Sequence, residues 1–118
     1  MVYSSVIRER FRAPRYRGSL PGADASFEDV NPLCGDRVRV AVRVEDGTVA
    51  EARFTGDSCA ICTASADVVT ELATGRSTAA ATRLGTDDVL EVLRAEVRPT
   101  RMRCVSLPIS VLGMALAR

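Results

Sequence analysis

Four valines at alternate positions constrain this chain more than any other feature. Val38, Val40, Val42 and Val44 are interleaved with Arg37, Arg39, Ala41 and Arg43, and a period of two fits a half-buried strand. After Glu45-Asp46-Gly47 comes Thr48–Thr55, where Ala50, Ala52 and Phe54 share a face. A two-residue turn at Asp46-Gly47 would set Val42 opposite Glu51 and put a charge on the apolar side. A three-residue loop with Gly47 left-handed pairs Val44 with Thr48, Val42 with Ala50, Val40 with Ala52 and Val38 with Phe54, and is the expected form. This hairpin returns Thr55 to the neighbourhood of Arg37. The flanking segments, Cys34-Gly35-Asp36 and Cys59, are therefore expected at one end of the sheet.

Elsewhere the pattern turns helical. Residues 2–12 read as a short helix with Val2, Ile7 and Phe11 available for one face, ended at Ala13-Pro14 because the residue before proline disfavours helical dihedrals. Residues 14–24, rich in Gly and Pro, read as a loop. A short strand is expected around Ala25–Val30, and Asn31-Pro32 marks a turn leading to Cys34. Ile61, Ser65, Val68 and Leu72 predict a helix over 59–74, with Asp57 or Ser58 as its N-cap and Gly75 at its exit. Helices are expected over 77–84 and 86–95, the second with Asp87 and Asp88 in its first turn. Pro99 breaks the chain. A last helix is expected from about Leu107, capped by Ser106, with Pro108 in its first turn and Ile109, Leu112, Ala115 and Leu116 along it.

The totals exclude several classes. At 118 residues the expectation is one domain over 1–118. A formal net charge of +1 gives no global attraction to nucleic acid or membrane, and no apolar run reaches the roughly 18 residues a transmembrane helix needs. A cytoplasmic location is expected, where four cysteines favour metal binding or redox chemistry over a disulfide framework. All 16 basic residues are arginine, so Schiff-base and phosphate-loop lysine chemistry is absent. Arg8, Arg10, Arg12, Arg15 and Arg17 form a local basic patch, either a solvated face or a docking surface for an acidic protein.

Histidine is also absent, which removes imidazole as ligand, base or pH switch. Thiolate and carboxylate chemistry remains. Cys59 opens one predicted helix and Cys104 precedes another, and helix N-termini favour a thiolate over a thiol. Two such ends aimed at one point suit a soft metal or an iron–sulfur cluster. Asp36, two residues from Cys34, adds a harder oxygen donor, and three thiolates with one carboxylate make a workable tetrahedral zinc set. Alternatives stay open. Cys34 or Cys104 alone could be a small buried residue, and Asp36 could cap a turn. Cys59-Ala60-Ile61-Cys62 could be a thioredoxin-like redox pair, though such motifs usually follow a βαβ unit. A zinc ribbon would want a second matched pair, and a cysteine-nucleophile enzyme would want a histidine.

Taken together, the motifs resemble the IscU/SufU/NifU-type iron–sulfur cluster assembly scaffolds over nearly the whole chain. Residues 3–18, ending Pro14-Arg15-Tyr16-Arg17-Gly18, resemble the family's opening helix and its exit. Asn31-Pro32-Leu33-Cys34-Gly35-Asp36 resembles the first ligand motif in the form typical of the SufU branch. Phe54-Thr55-Gly56-Asp57-Ser58-Cys59 with Thr63-Ala64-Ser65-Ala66 resembles the second, and Arg101-Met102-Arg103-Cys104 the third.

The resemblance implies an α+β fold, a small two-layer sandwich whose three-stranded antiparallel sheet carries helices on one face. It implies that Cys34, Cys59 and Cys104 are the essential cysteines that hold a 2Fe–2S cluster or zinc. Asp36 completes that metal set and assists cluster release, and Cys104 is the candidate persulfide acceptor. Cys62 stands where small residues are usual; one helical turn from Cys59, it is either an auxiliary ligand, a persulfide relay or packing. The partners implied are a cysteine desulfurase and apo iron–sulfur client proteins, with a monomer or weak homo-oligomer expected. The function implied is a scaffold or sulfur acceptor. The alternatives are a zinc-dependent persulfide relay alone, or a binding domain with structural zinc. Arg103 stands where the IscU branch has histidine, and the stretch before the last motif lacks the insertion usual in SufU-type chains.

Overall fold

The computed structural model describes residues 4–117. Strands β1 (Ala25–Asn31), β2 (Asp36–Glu45) and β3 (Thr48–Asp57) form an antiparallel sheet in the order β1-β2-β3. Around it run helices α1 (Ser5–Arg12), α2 (Ala60–Ala73), α3 (Thr78–Thr82), α4 (Thr86–Leu93) and α5 (Met102–Leu116). This is the α+β sandwich expected: α2 and α5 pack side by side over one face of the sheet. Val38, Val40, Val42, Val49, Ala52 and Phe54 meet Ile61, Val68, Val69, Leu107, Val111 and Leu112 in one apolar core. Val2 of the expected first helix lies outside the described residues. Ile7 is fully buried while Phe11 is 48% exposed, so the inward face of α1 is narrower than expected.

The hairpin differs from expectation in an instructive way. Its turn is the two-residue Asp46-Gly47, with both residues left-handed (φ 51° and 73°) as the twist of a tight hairpin requires. Glu45 pairs with Thr48 and Val44 with Val49; the register then shifts, and Arg43 faces Glu51. Ala50 is the extra residue of a bulge. That insertion restores the phase, so Val42 lies opposite Ala52 and Val40 opposite Phe54, and Glu51 stays off the core face. A bulge does the work assigned to a longer loop.

Two helix starts are also corrected. Cys59 itself, not Asp57 or Ser58, is the N-cap of α2. The last helix begins at Met102 rather than near Leu107, after a single 3-10 turn over Pro99–Arg101. Cys104 therefore lies inside α5, and Pro108 in its interior. Proline there has no N–H to give to the carbonyl four residues back, that of Cys104. Burial of Cys104, Val105, Leu107, Val111, Leu112 and Ala115 along one side offsets that loss.

Candidate metal and sulfur site

Three chain reversals bring the site together. The turn Pro32–Gly35 joins β1 to β2 and is held by Asn31, whose backbone oxygen accepts from Gly35 (2.8 Å) and Cys34 (3.3 Å) and whose side chain accepts from the Leu33 amide (3.1 Å). Asp36 then starts β2 directly opposite Asn31. Across the sheet, Val38 faces Gly56, and a Cβ at Gly56 would collide with the Arg37 carbonyl. Glycine lets β3 approach β2 closely enough to deliver Cys59 beside Asp36. The third reversal, Pro99–Arg101, turns Cys104 in the first turn of α5 toward the same point.

At that point one carboxylate oxygen meets three sulfurs. Asp36 Oδ2 lies 3.0 Å from Cys34 Sγ, 3.6 Å from Cys104 Sγ and 3.7 Å from Cys59 Sγ, and Cys59 and Cys104 are 3.6 Å apart. Asp36 Oδ1 accepts from the Cys59 amide at 2.9 Å, which fixes the carboxylate's orientation. The donor atoms of Cys34, Asp36 and Cys104 all lie within 4.8 Å of one another, and Cys59 joins on the Asp36–Cys104 side. Asp36 is 3% exposed, Cys104 is buried, Cys59 half-buried and Cys34 exposed.

The electrostatics suit a cation. Burial alone would raise the Asp36 carboxyl, but donation from Cys34, from the Cys59 amide and from the other two thiols outweighs it and holds the group below the usual carboxylate range. Its negative charge, through the bond to Cys34, pushes that thiol up. Cys104 is pushed up first by burial and then by Cys59 and Asp36, with Arg101 opposing. Four anionic or potentially anionic donors thus face each other, and the cation beside them is Arg101, whose Nη2 reaches Cys59 Sγ at 3.4 Å. Cys104 and Cys59 in turn hold the guanidinium in its charged form.

Cys59, Cys104 and Asp36 are spaced for a tetrahedral soft metal. Cys59 falls outside the 4.8 Å group of Cys34, Asp36 and Cys104, so Cys34 would have to shift to complete the set. Zinc bonds of about 2.3 Å to sulfur and about 2.0 Å to oxygen imply sulfur–sulfur edges of about 3.8 Å and sulfur–oxygen edges of about 3.5 Å. The 3.6 Å and 3.7 Å separations around Cys59, Cys104 and Asp36 are close to those edges. The shorter Cys34–Asp36 contact is that of a thiol donating to a carboxylate.

Of the residues singled out in the sequence, Cys34, Asp36, Cys59 and Cys104 are brought together. Cys62 is fully buried in the core at the third position of α2; its amide donates to Cys59 Sγ at 3.4 Å. The basic patch divides. Arg10 reaches Asp67 (2.8 Å) and Glu71 (2.9 Å) on α2, and Arg17 donates to the Gly56 carbonyl (2.8 Å). Two features escaped the sequence reading. Arg101 has a signal, being one turn before Cys104. Asp67, fully buried and also accepting from the Tyr16 amide at 2.7 Å, could have been noticed as the one charged residue in the stretch 60–69.

Comparison with known proteins agrees with the geometry. Residues 2–118 match the NifU-like N-terminal domain. The iron–sulfur cluster assembly scaffold protein IscU of Escherichia coli K12 is 31% identical over 121 residues, spanning 99% of this chain and 93% of that protein. The zinc-dependent sulfurtransferase SufU of Bacillus subtilis is 36% identical over 76 residues, 64% of this chain and 50% of that protein. The crystal structure of a putative SUF-system scaffold from Fervidobacterium islandicum superposes with a TM-score of 0.84 at 23% identity, covering 97% of this chain and 96% of that one, which shows a common fold. Among the described residues no helix is long and apolar enough to cross a membrane. With its three ligand motifs folded into one cluster, the chain belongs to the NifU-like N-terminal domain family.

Proposed function

We propose that this protein is an iron–sulfur cluster assembly scaffold and sulfur acceptor, working in the cytoplasm with a cysteine desulfurase and passing cluster or sulfur to apoproteins. The observation that carries the reading is the convergence of Cys34, Cys59 and Cys104 on one oxygen of a buried, ionised Asp36. A packing role for these cysteines would not need a desolvated carboxylate at their centre. Cys34, Asp36, Cys59 and Cys104 would hold zinc as a resident ion or a 2Fe–2S cluster as cargo. A bound cation there would stabilise the thiolates that their mutual repulsion disfavours.

Each residue has a distinct part. Cys104 is the sulfur acceptor, centrally placed with Cys59 and Asp36 both at 3.6 Å. Cys104 is itself 3% exposed, and the neighbouring turn that carries Cys34 is open to solvent, with Leu33 92% exposed. Cys59 lies at the start of α2, where backbone amides stabilise a negative sulfur. Asp36 supplies the hard donor; oxygen binds soft iron or zinc less firmly than thiolate and is the first to exchange when cargo leaves. Arg101 offsets part of the negative charge on Cys59 and Cys104.

The experiment is reconstitution. With a cysteine desulfurase, cysteine and ferrous iron without oxygen, the protein should acquire the visible absorption of a 2Fe–2S cluster and pass it to an apo-ferredoxin. Cys104→Ser should acquire none. Persulfide on Cys104 that depends on zinc, without any cluster, would select the zinc-dependent relay. Neither persulfide nor cluster would overturn the proposal in favour of structural zinc.

A further inference from the structure

Cys62 is the cysteine that the four-donor set leaves unused. Cys59 is the N-cap of α2, with extended backbone (φ −68°, ψ 171°), and Cys62 is the third residue of that helix. In a capping box the N-cap side chain accepts the third residue's amide, and the third residue's side chain reaches back toward the N-cap backbone, which keeps the two residues side by side across the first turn. Here the N-cap sulfur accepts the Cys62 amide at 3.4 Å, which brings Cys59 Sγ alongside the residue carrying the second sulfur. A thiol at a helix N-terminus with a buried second thiol three residues on is the arrangement that thiol–disulfide exchange uses.

The sulfur that a desulfurase delivers is sulfane sulfur, two electrons above sulfide, whereas a cluster incorporates sulfide. Resting on the sulfur-acceptor reading above, we propose that Cys59 and Cys62 are a dithiol couple that reduces incoming sulfane sulfur to sulfide. The Cys59 thiolate attacks the outer sulfur of a persulfide on Cys104, 3.6 Å away; that S–S bond breaks and Cys104 leaves as thiolate. The Cys62 sulfur then attacks Cys59 Sγ. The persulfide S–S bond breaks, hydrosulfide departs with the proton given up by Cys62, and a Cys59–Cys62 disulfide forms. One sulfane sulfur is reduced and two cysteines are oxidised. A low-molecular-weight thiol restores the dithiol.

Cys62 is favoured over Cys104 as the resolving sulfur for two reasons. A bond to Cys62 closes within one helical turn and leaves Cys34, Asp36 and Cys104, which lie within 4.8 Å of one another, free to stay as a set. A bond to Cys104 would take two of the four donors out at once. Cys62 is also wholly buried, which closes its sulfur to solvent thiols, and its amide already lies 3.4 Å from Cys59 Sγ.

The test loads the whole chain with inorganic polysulfide, removes the excess, and follows sulfide release and disulfide mapping by mass spectrometry with no reductant added. Wild type should release sulfide as a Cys59–Cys62 disulfide appears. In Cys62→Ser and Cys62→Ala, both checked for native circular dichroism, the sulfane sulfur should stay cyanide-reactive until dithiothreitol is added, with release slowed at least about tenfold. Release at the wild-type rate by a folded variant would overturn the couple, as would a wild-type disulfide joining Cys59 to Cys104. A parallel arm with a cysteine desulfurase and cysteine reports on the acceptor role separately. Failure there, with the polysulfide arm positive, would count against the scaffold reading and leave the dithiol couple standing.

Discussion

Replacing Asp36 separates a ligand from a structural brace, because its two oxygens do different things. Oδ1 receives the Cys59 amide at 2.9 Å, and Oδ2 faces the three sulfurs. Asp36→Ala removes both and leaves that amide, at the very start of α2, without its acceptor; an orphaned buried donor costs about 1–3 kcal/mol. Asp36→Asn keeps an oxygen for the amide and deletes the charge, so metal-free Asn protein should lose less than half as much. Urea unfolding in the presence of a chelator reads that difference. For zinc the order changes: both variants lose a ligand, and each should lose more than the roughly 10–100-fold that disturbing an outer hydrogen-bond partner costs. Thiol reactivity should move the other way. Asp36 is what holds the Cys34 thiol up, so its exposed sulfur should react faster with iodoacetamide in metal-free Asp36→Asn than in wild type. Wild-type zinc affinity in the Asn variant, or a less reactive Cys34, would refute the reasoning.

Other expectations follow from the same geometry. Asp67→Ala leaves the Tyr16 amide without its acceptor at a buried position and Arg10 with Glu71 alone, and should cost about 1–3 kcal/mol in chemical denaturation, the penalty of an unsatisfied buried donor. Gly56→Ala forces a methyl into the Arg37 carbonyl, so the midpoint of urea unfolding should fall and zinc affinity with it, since β3 then presents Cys59 from further away. In metal-free protein, stability should fall on both sides of neutrality. Asp36 has a depressed folded-state pKa, so its contribution is present above the ordinary carboxylate value near 4 and is lost as pH falls further. The Cys104 thiol is raised to about 12, so an unfolded chain ionises first and stability drops as pH climbs from about 8.5 toward 12. Melting temperature against pH, with chelator present, checks both limbs.

Much of the site was legible because its parts are local. Alternating valines fixed the hairpin's core face, and the hairpin alone was enough to place Cys34–Asp36 beside Cys59. What was not legible depended on tertiary context. Ala50 has no intrinsic mark of a bulge; the register shift arises because Val49, Ala52 and Phe54 all gain burial by it. Pro108 argued for a late start to α5, yet burial along Cys104–Ala115 outweighs one missing hydrogen bond. Cysteine is not a usual cap, so Cys59 was passed over in favour of Asp57 and Ser58. Its sulfur takes that place because the Asp36 carboxylate anchors its amide from across the sheet. Asp67 and Arg10 lie 57 residues apart, and only the docking of α1 on α2 pairs them.

The central claim is that Cys34, Cys59, Cys104 and Asp36 bind one ion together. Zinc-edge X-ray absorption of the zinc-loaded protein tests it most directly. Three sulfurs at about 2.3 Å and one oxygen at about 2.0 Å are predicted, with the count unchanged in Cys62→Ser. Four sulfurs, or two, would contradict it.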